Sequence, residues 1–455
     1  MPPVVPARPF HEEICRMNPR ILALALASAC ALAACSQAQH ATDAAAATGR
    51  APPAAAATAA IAPDGVSEKA MAIHRRALNL DTHLDTPALF SRPGWDIADR
   101  HSYADDGSQV DYPRMVEGGL DGGFWAVYTG QGPRDATGNL HARDFGLRRL
   151  SEIREMVAGH ADTFELATRP EDAARIKAAG KRSVYISMEN AYPLEYDPSL
   201  LSFYYQQGLR MLSLVHTTNN DFADSSTDPK GPEWHGISPA GRKLVEQANK
   251  LGILLDQSHA SNDVFDQMIA LSKAPIILSH TAAFDVNAHP RNLDDARIRT
   301  LAEHGGVIQV NSLSGYLVPV NASDAYKEEM KALFQSMGER KSMTPEQRKA
   351  LMARRKALDA KYGIKRATFD DYMKHVLHII EVAGPEHVGL GADWDGGGGV
   401  DGYDDIAALP KVTQRLLDAG YDEKQIDGIL GGNVVRLLET VQNAADPEAV
   451  KAALE

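Results

Sequence analysis

Cysteine is almost absent from this chain of 455 residues: there are three, at positions 15, 30 and 35, and none after Cys35. A fold built from the later residues has no disulfide, no thiolate metal site and no cysteine nucleophile. Basic residues are also in deficit, with 47 Lys and Arg against 60 Asp and Glu, a formal net charge of -13. That deficit argues against a nucleic-acid partner, because gripping phosphates needs a basic surface. Long apolar runs are missing too. The most extended, at 21–34, has the length of a signal-peptide core and falls short of the ~20 residues of a membrane span. What remains, 44% hydrophobic and 24% charged, has the proportions of a globular protein.

Arg20 precedes the apolar run and Leu32-Ala33-Ala34-Cys35 ends it, a pattern that resembles the lipobox of bacterial lipoproteins. On this reading residues 1–35 are a signal peptide, with Met17 as an alternative start. Cys35 is lipidated, and the protein faces the periplasm from the bacterial cell envelope, touching membrane only through that anchor. An ordinary secretory signal with a chance cysteine is the competing reading. Residues 36–65, rich in Ala, Pro and Thr, are expected to form a disordered tether, with the catalytic domain at 66–455.

From 66 onward, short apolar segments alternate with helical ones. Strands are expected at 77–81, 122–128, 183–188, 210–215, 252–256, 275–278, 306–311 and 387–391, apolar on both faces as in a buried parallel sheet. Helices are expected at 199–207, 239–251, 262–272, 293–304 and 369–383, with closing helices at 406–419, 422–429 and 433–441. Eight repeats of this kind predict an α/β fold, a (β/α)8 TIM-like barrel of the metal-dependent hydrolase type. Residues 324–366 break the rhythm after the seventh strand. They read as a helical hairpin with Thr344 capping its second helix and Pro345 at the first position. With twelve Lys and Arg against six Asp and Glu, this insertion is basic on an acidic protein. It is either a solvated excursion or oligomer contact, or a wall of the substrate pocket.

Six apolar runs end on a metal-binding or titratable residue: His83 and Asp85, Glu189, His216, His259, His280, and Asp393. His83 and Asp85 are two apart, so in an extended segment both point the same way. A buried, unpaired Glu189 would cost several kcal/mol, which a metal ion removes. His83, Asp85, Glu189, His259 and His280 supply three imidazoles and two carboxylates. Nitrogen and oxygen donors without sulfur suit zinc ahead of manganese, cobalt or iron. Five ligands are too many for one catalytic zinc, which keeps an open position, and about right for two ions sharing a carboxylate.

The motifs occur in the order DTHLDTP at 81–87, Glu189, LVHTTNNDFAD at 214–224, DQSHAS around His259, SHTAA around His280, HPRNLDD around Arg291, GLGADWDG around Asp393 and GGNVVRLLE from Gly431. Together they resemble the membrane dipeptidase (renal dipeptidase) family of zinc peptidases over roughly 77–438, here as a bacterial lipoprotein member. The resemblance implies that His83 and Asp85 bind one zinc ion and His259 and His280 the other, with Glu189 and a hydroxide bridging them. It further implies that His216 contacts the scissile carbonyl, Arg291 binds substrate and Asp393 handles the proton. A homodimer would also fit the family.

The mechanism expected is metal-assisted hydrolysis of a dipeptide, in which two ions ~3.5–4 Å apart lower the pKa of a bridging water towards ~7. Competing readings remain at three residues: His216 as a core histidine, Arg291 as a surface partner of Asp294 or Asp295, and Asp395 in place of Asp393. Thr82, Leu84, Asn190 and Ala191 depart from the family pattern and leave substrate preference open, including acceptance of a D-residue at the C-terminal position. A related hydrolase acting on another amide, an N-acyl amino acid or a lactone would share every ligand. A non-catalytic binding lipoprotein would be expected to lack one. Mass spectrometry of the mature, detergent-extracted protein should find an acylated Cys35 at its N-terminus; an unmodified Cys35 rules the lipoprotein out.

Overall fold

The computed structural model describes residues 63–320, 322–336 and 343–455. The signal peptide, Met17, Cys35 and all but the last three residues of the tether lie outside the described residues. No described helix is long and apolar enough to cross a membrane.

Among the described residues nine strands, all parallel, form one sheet: β1 (Leu80–Leu84), β2 (Gly122–Tyr128), β3 (Phe164–Leu166), β4 (Arg182–Glu189), β5 (Leu209–Ser213), β6 (Leu254–Asp256), β7 (Ile277–Thr281), β8 (Val307–Val310) and β9 (Val388–Leu390). Eight run in the order β1-β2-β4-β5-β6-β7-β8-β9, and β3 pairs with β4 off this path. Beyond β9, Trp394 bridges to Leu84 in parallel and its carbonyl accepts from Asp85 N at 2.9 Å. The result is a nearly closed barrel of eight parallel strands wrapped by helices, the (β/α)8 architecture expected.

Because the strands are parallel, their starts share one mouth of the barrel. Leu80, Phe124, Tyr185, Met211, Leu254, Ile277 and Val307, one from each of seven strands, form a single apolar cluster there. It closes on Val434, Leu437, Leu438 and Val441 of the helix Asn433–Asn443, whose apolar side plugs this end. The opposite mouth is therefore left for polar chemistry.

Helices expected at 239–251 and 369–383 form as Pro239–Leu251 and Phe369–Ala383. Ser238 caps the first through Gly241 N, and Gly252 ends it at φ 66°, a left-handed turn that glycine adopts without strain. Two expectations need correction. The first strand lies at Leu80–Leu84 instead of 77–81, because the preceding helix Glu68–Arg76 leaves 77–79 as its exit. The 24-residue helix Ala136–Gly159 and the short β3 were not anticipated.

The insertion is a helical hairpin, Asp324–Ser336 and Pro345–Lys361. Thr344 and Gln347 form a capping box with Pro345 in the first turn. Leu333, Met343 and Leu351 give the hairpin a small core of its own.

His74 links the first helix to the rest of the barrel wall. It is fully buried, its Nε2 donating to Gly118 O at 2.8 Å and its Nδ1 lying 2.7 Å from Thr413 Oγ1. Burial lowers its pKa to about 4, with Lys177 and Arg75 adding to the effect against the Gly118 bond. The unfolded chain takes up this proton near pH 6.5 and the folded chain only near 4. The contribution of His74 is therefore complete above pH 6.5 and is lost as pH falls towards 4. In urea titrations, His74→Gln should flatten the acid-side loss of stability by about 1.4 kcal/mol per pH unit between pH 6 and 4.5. An unchanged slope would mean that folded His74 is already charged.

Candidate metal centre and active site

All the strand-end residues converge at the open mouth. His83 lies within β1 and His280 within β7, Glu189 ends β4, and His216, His259 and Asp393 each sit three residues past a strand. Glu189 occupies the centre. Its Oε1 lies 3.0 Å from His259 Nε2, 3.4 Å from His280 Nε2 and 3.8 Å from His216 Nε2, while its Oε2 lies 3.5 Å from His83 Nε2. Asp85 Oδ2 is 3.4 Å from His83 Nε2. Among the described residues three donor groups have geometry able to hold a cation: His83, Glu189 and His280; Glu189, His216 and His259; and His83, Asp85 and Asp393.

The backbone is bent to achieve this. His259 and Asp393 adopt φ of 72° and 64°, and Asn190, next to Glu189, 70°. Side-chain-bearing residues seldom adopt such conformations, and they tend to collect at functional sites. Each turns a residue inward where the strand geometry has ended. Gly396 completes the constriction: a Cβ there would lie 2.1 Å from both Asp393 Oδ1 and Asp85 Oδ2.

Electrostatics mark the cluster as a cation site. His83 is held well above the usual imidazole range: burial opposes its charge, and Glu189 and Asp85 outweigh burial. Glu189 is held well below the carboxylate range, because His83 and His216 overcome the cost of burying it. Asp393 is pushed up by burial, then by Asp85 and Glu189, against the pull of His83 and Arg291. Burial holds His259 and His280 well below their usual range. The three carboxylates of Asp85, Glu189 and Asp393 thus crowd together, a charge that a divalent cation would offset.

Hydrogen bonding points the same way. Both ring nitrogens of His83 and Nδ1 of His259 are buried without a hydrogen-bond partner, and His259 Nε2 faces His280 Nε2 at 2.8 Å. Such orphaned nitrogens are unusual in a folded interior. Behind His280 the order is clear. Its Nδ1 lies 2.8 Å from Ser279 Oγ, which donates to Asp256 Oδ2 at 2.6 Å. That chain places the proton on Nδ1 and leaves the Nε2 lone pair facing the cluster. Asp81 braces His83 by accepting from His83 N at 2.9 Å and from Ala392 N at 3.0 Å.

The competing readings separate here. Arg291 is 4% exposed and pairs with neither Asp294, which binds Arg297, nor Asp295, which binds His378. Its Nη2 donates to His280 O at 3.0 Å, its guanidinium lies 5.2 Å from the Tyr316 ring, and its buried Nε has no partner. Asp395 turns away from the cluster, accepting from Thr86 Oγ1 at 2.7 Å and Gln109 N at 2.6 Å. His216 packs against the Tyr128 ring at 4.8 Å and the His259 ring at 4.1 Å. Burial lowers its pKa, against the pull of Glu189.

Three residues escaped sequence reasoning: Tyr128, Tyr316 and Asn311, whose Nδ2 donates to Asp393 Oδ2 at 3.4 Å. Asn311 closes the expected strand 306–311, so the rule that found the others would have found it, had amides been counted with titratable groups.

A family model described as membrane dipeptidase (peptidase family M19) matches residues 67–452. Dipeptidase tcpJ of Claviceps purpurea is 28% identical over 342 residues, covering 74% of this chain and 70% of that protein. The structure of the probable dipeptidase PvdM from Pseudomonas aeruginosa superposes with a TM-score of 0.71 at 29% identity, covering 83% of this chain and 98% of that one. That of the dipeptidase AC, a metallo peptidase of family M19, gives 0.64 at 25% identity, covering 80% and 99%. This chain belongs to the membrane dipeptidase family, peptidase family M19, and is a hydrolase.

Proposed function

We propose that the protein is a binuclear zinc dipeptidase that hydrolyses the peptide bond of dipeptides. The observation that carries this reading is the central Glu189 carboxylate, within 3.5 Å of the Nε2 atoms of His83, His259 and His280, in a pocket that strands ring nitrogens without partners. The donor set fits the metal: His83 and Asp85 would hold one ion, His259 and His280 the other, and Glu189 both. When bound, the ions would supply Lewis acidity and a hydroxide at neutral pH.

The chain's own residues account for the rest. His216, with its pKa lowered by burial, donates a hydrogen bond to the carbonyl oxygen as negative charge develops there. Asp393, oriented by Asn311 and set beside Asp85, takes the proton of the attacking water and passes it to the leaving amine nitrogen. Arg291, braced by His280 O and Tyr316, receives the free C-terminal carboxylate of the dipeptide with its planar fork. In a dipeptide that carboxylate lies one residue from the scissile bond.

A D-residue at the C-terminal position, a homodimer and a periplasm-facing lipoprotein anchored at Cys35 complete the proposal. The sequence at 21–35 supports the last.

Purified zinc-loaded protein should hydrolyse L-L and L-D dipeptides in a ninhydrin or coupled amino-acid assay; turnover of lactones or N-acyl amino acids alone would transfer the site to another substrate class. His259→Ala should lower bound zinc, read by atomic absorption, from about two equivalents to about one. Asp393→Asn should keep both equivalents and lose about 10³-fold in kcat. Near-normal turnover in that variant would move the proton to another residue.

A further inference from the structure

The hairpin after β8 roofs a cavity of about 210 Å³, floored by 395–398 and walled by the segment that runs from Arg92 to Gln109. Gly396 belongs to both this cavity and the cluster, since it lines the first and its missing Cβ would collide with Asp85 and Asp393. The cavity thus begins one bare glycine away from the reacting carboxylates. The hairpin is docked here. Lys349 Nζ meets Asp105 Oδ1 at 2.8 Å, and Met352 Sδ approaches Gly107 so closely that a Cβ there would lie 3.2 Å from it.

The lining has two chemistries. Phe334, Leu351 and Met352 are apolar, whereas Arg92, Arg348 and Arg355 bring three guanidinium groups. The carboxylates that line the cavity, Asp106 and Asp395, already accept bonds from Ser108 and His101 and from Thr86 and Gln109. Arg348 is buried. Its Nη1 donates to Met343 O at 2.5 Å, and its Nε has no partner, a costly state until an acceptor arrives. Arg355 stands at the exposed rim.

We infer that this cavity receives the N-terminal side chain of the dipeptide and selects an acidic one of the glutamate type. Its methylene stem would lie on Phe334, Leu351 and Met352, and its carboxylate would meet Arg348 and Arg355. The inference rests on the dipeptidase reading. Asp85 and Asp393, in the loops after β1 and β9, meet the cavity lining at Gly396, which is where a dipeptide held by Arg291 at its C-terminal carboxylate would reach the cavity. A mixed apolar and cationic lining rewards a side chain with both parts, and leucine would leave the buried Arg348 guanidinium unsatisfied.

The test is kcat/KM of the full zinc-loaded chain on Glu-Ala, Leu-Ala and Ala-Glu. Glu-Ala should exceed Leu-Ala by about tenfold or more, chiefly through KM. Arg348→Met and Arg355→Met should each bring the ratio towards parity, and Lys331→Met, on the hairpin outside the cavity, should leave the ratio in place. Because Arg348 is buried, circular dichroism must accompany its variant; rim-exposed Arg355 carries the test if Arg348→Met unfolds. Leu-Ala equal to or better than Glu-Ala, Ala-Glu better than Glu-Ala, or an unmoved ratio in folded variants would overturn the inference while leaving the dipeptidase intact. Absence of turnover on every dipeptide would instead overturn the dipeptidase reading, and this inference with it.

Discussion

One buried carboxylate governs this structure. Glu189 is surrounded by four imidazoles with Asp85 and Asp393 close by, in an interior that punishes any unbalanced charge. An isolated ion there would be expelled or neutralised. The protein instead gathers groups from β1, β4, β5, β6, β7 and β9 around it, so that charge balance becomes a property of the whole barrel mouth. The strained backbone at His259 and Asp393, the bare glycine at 396 and the Asp256–Ser279–His280 chain all serve this convergence.

The other end of the barrel makes the polar mouth affordable. Seven strands contribute a layer of apolar side chains that packs on the helix Asn433–Asn443, so the barrel axis is filled where no chemistry is needed. Each strand thus changes character along its length. Tyr185 near the start of β4 is core and Glu189 at its end is cluster; Ile277 and His280 divide β7 in the same way.

That change of character is why so much of the site could be read from sequence. An apolar run that stops on His, Asp or Glu is visible in one dimension, and a parallel barrel brings all such stops to one mouth. The helix Ala136–Gly159 was invisible for the opposite reason. Its buried face begins with Gly138, Ala142, Gly146 and Arg149, small or charged residues, and turns apolar only at Leu150, Ile153 and Met156, too short a stripe to mark a 24-residue helix. Gly138 is crowded first by the nearby Pro133 carbonyl and then by the Tyr192 hydroxyl, and Gly146 by the Tyr204 hydroxyl and the Pro193 ring, the last three a constraint set by distant segments. The positive φ of His259 and Asp393 was equally hidden, since neither residue type demands it. Arg291 was legible as a motif, but only its burial beside His280 and Tyr316 removed the surface ion pair as an explanation.

The seam between β1 and the loop after β9 has a consequence for how the molecule comes into being. Leu84 meets Trp394, and the plug of the barrel lies at 433–443, so the first strand pairs early with β2 along one edge and waits more than three hundred residues for the contact that closes its other edge. Contacts of such long sequence separation carry a heavy loop-closure entropy and form late. His83 and Asp85 are carried on that first strand, whereas Asp393 arrives with the last. A nascent or truncated chain can hold Glu189, His259 and His280 and still lack a closed pocket. Hydrolytic competence is thereby tied to completion of the chain, and a partly made molecule is spared an active centre open to bulk water.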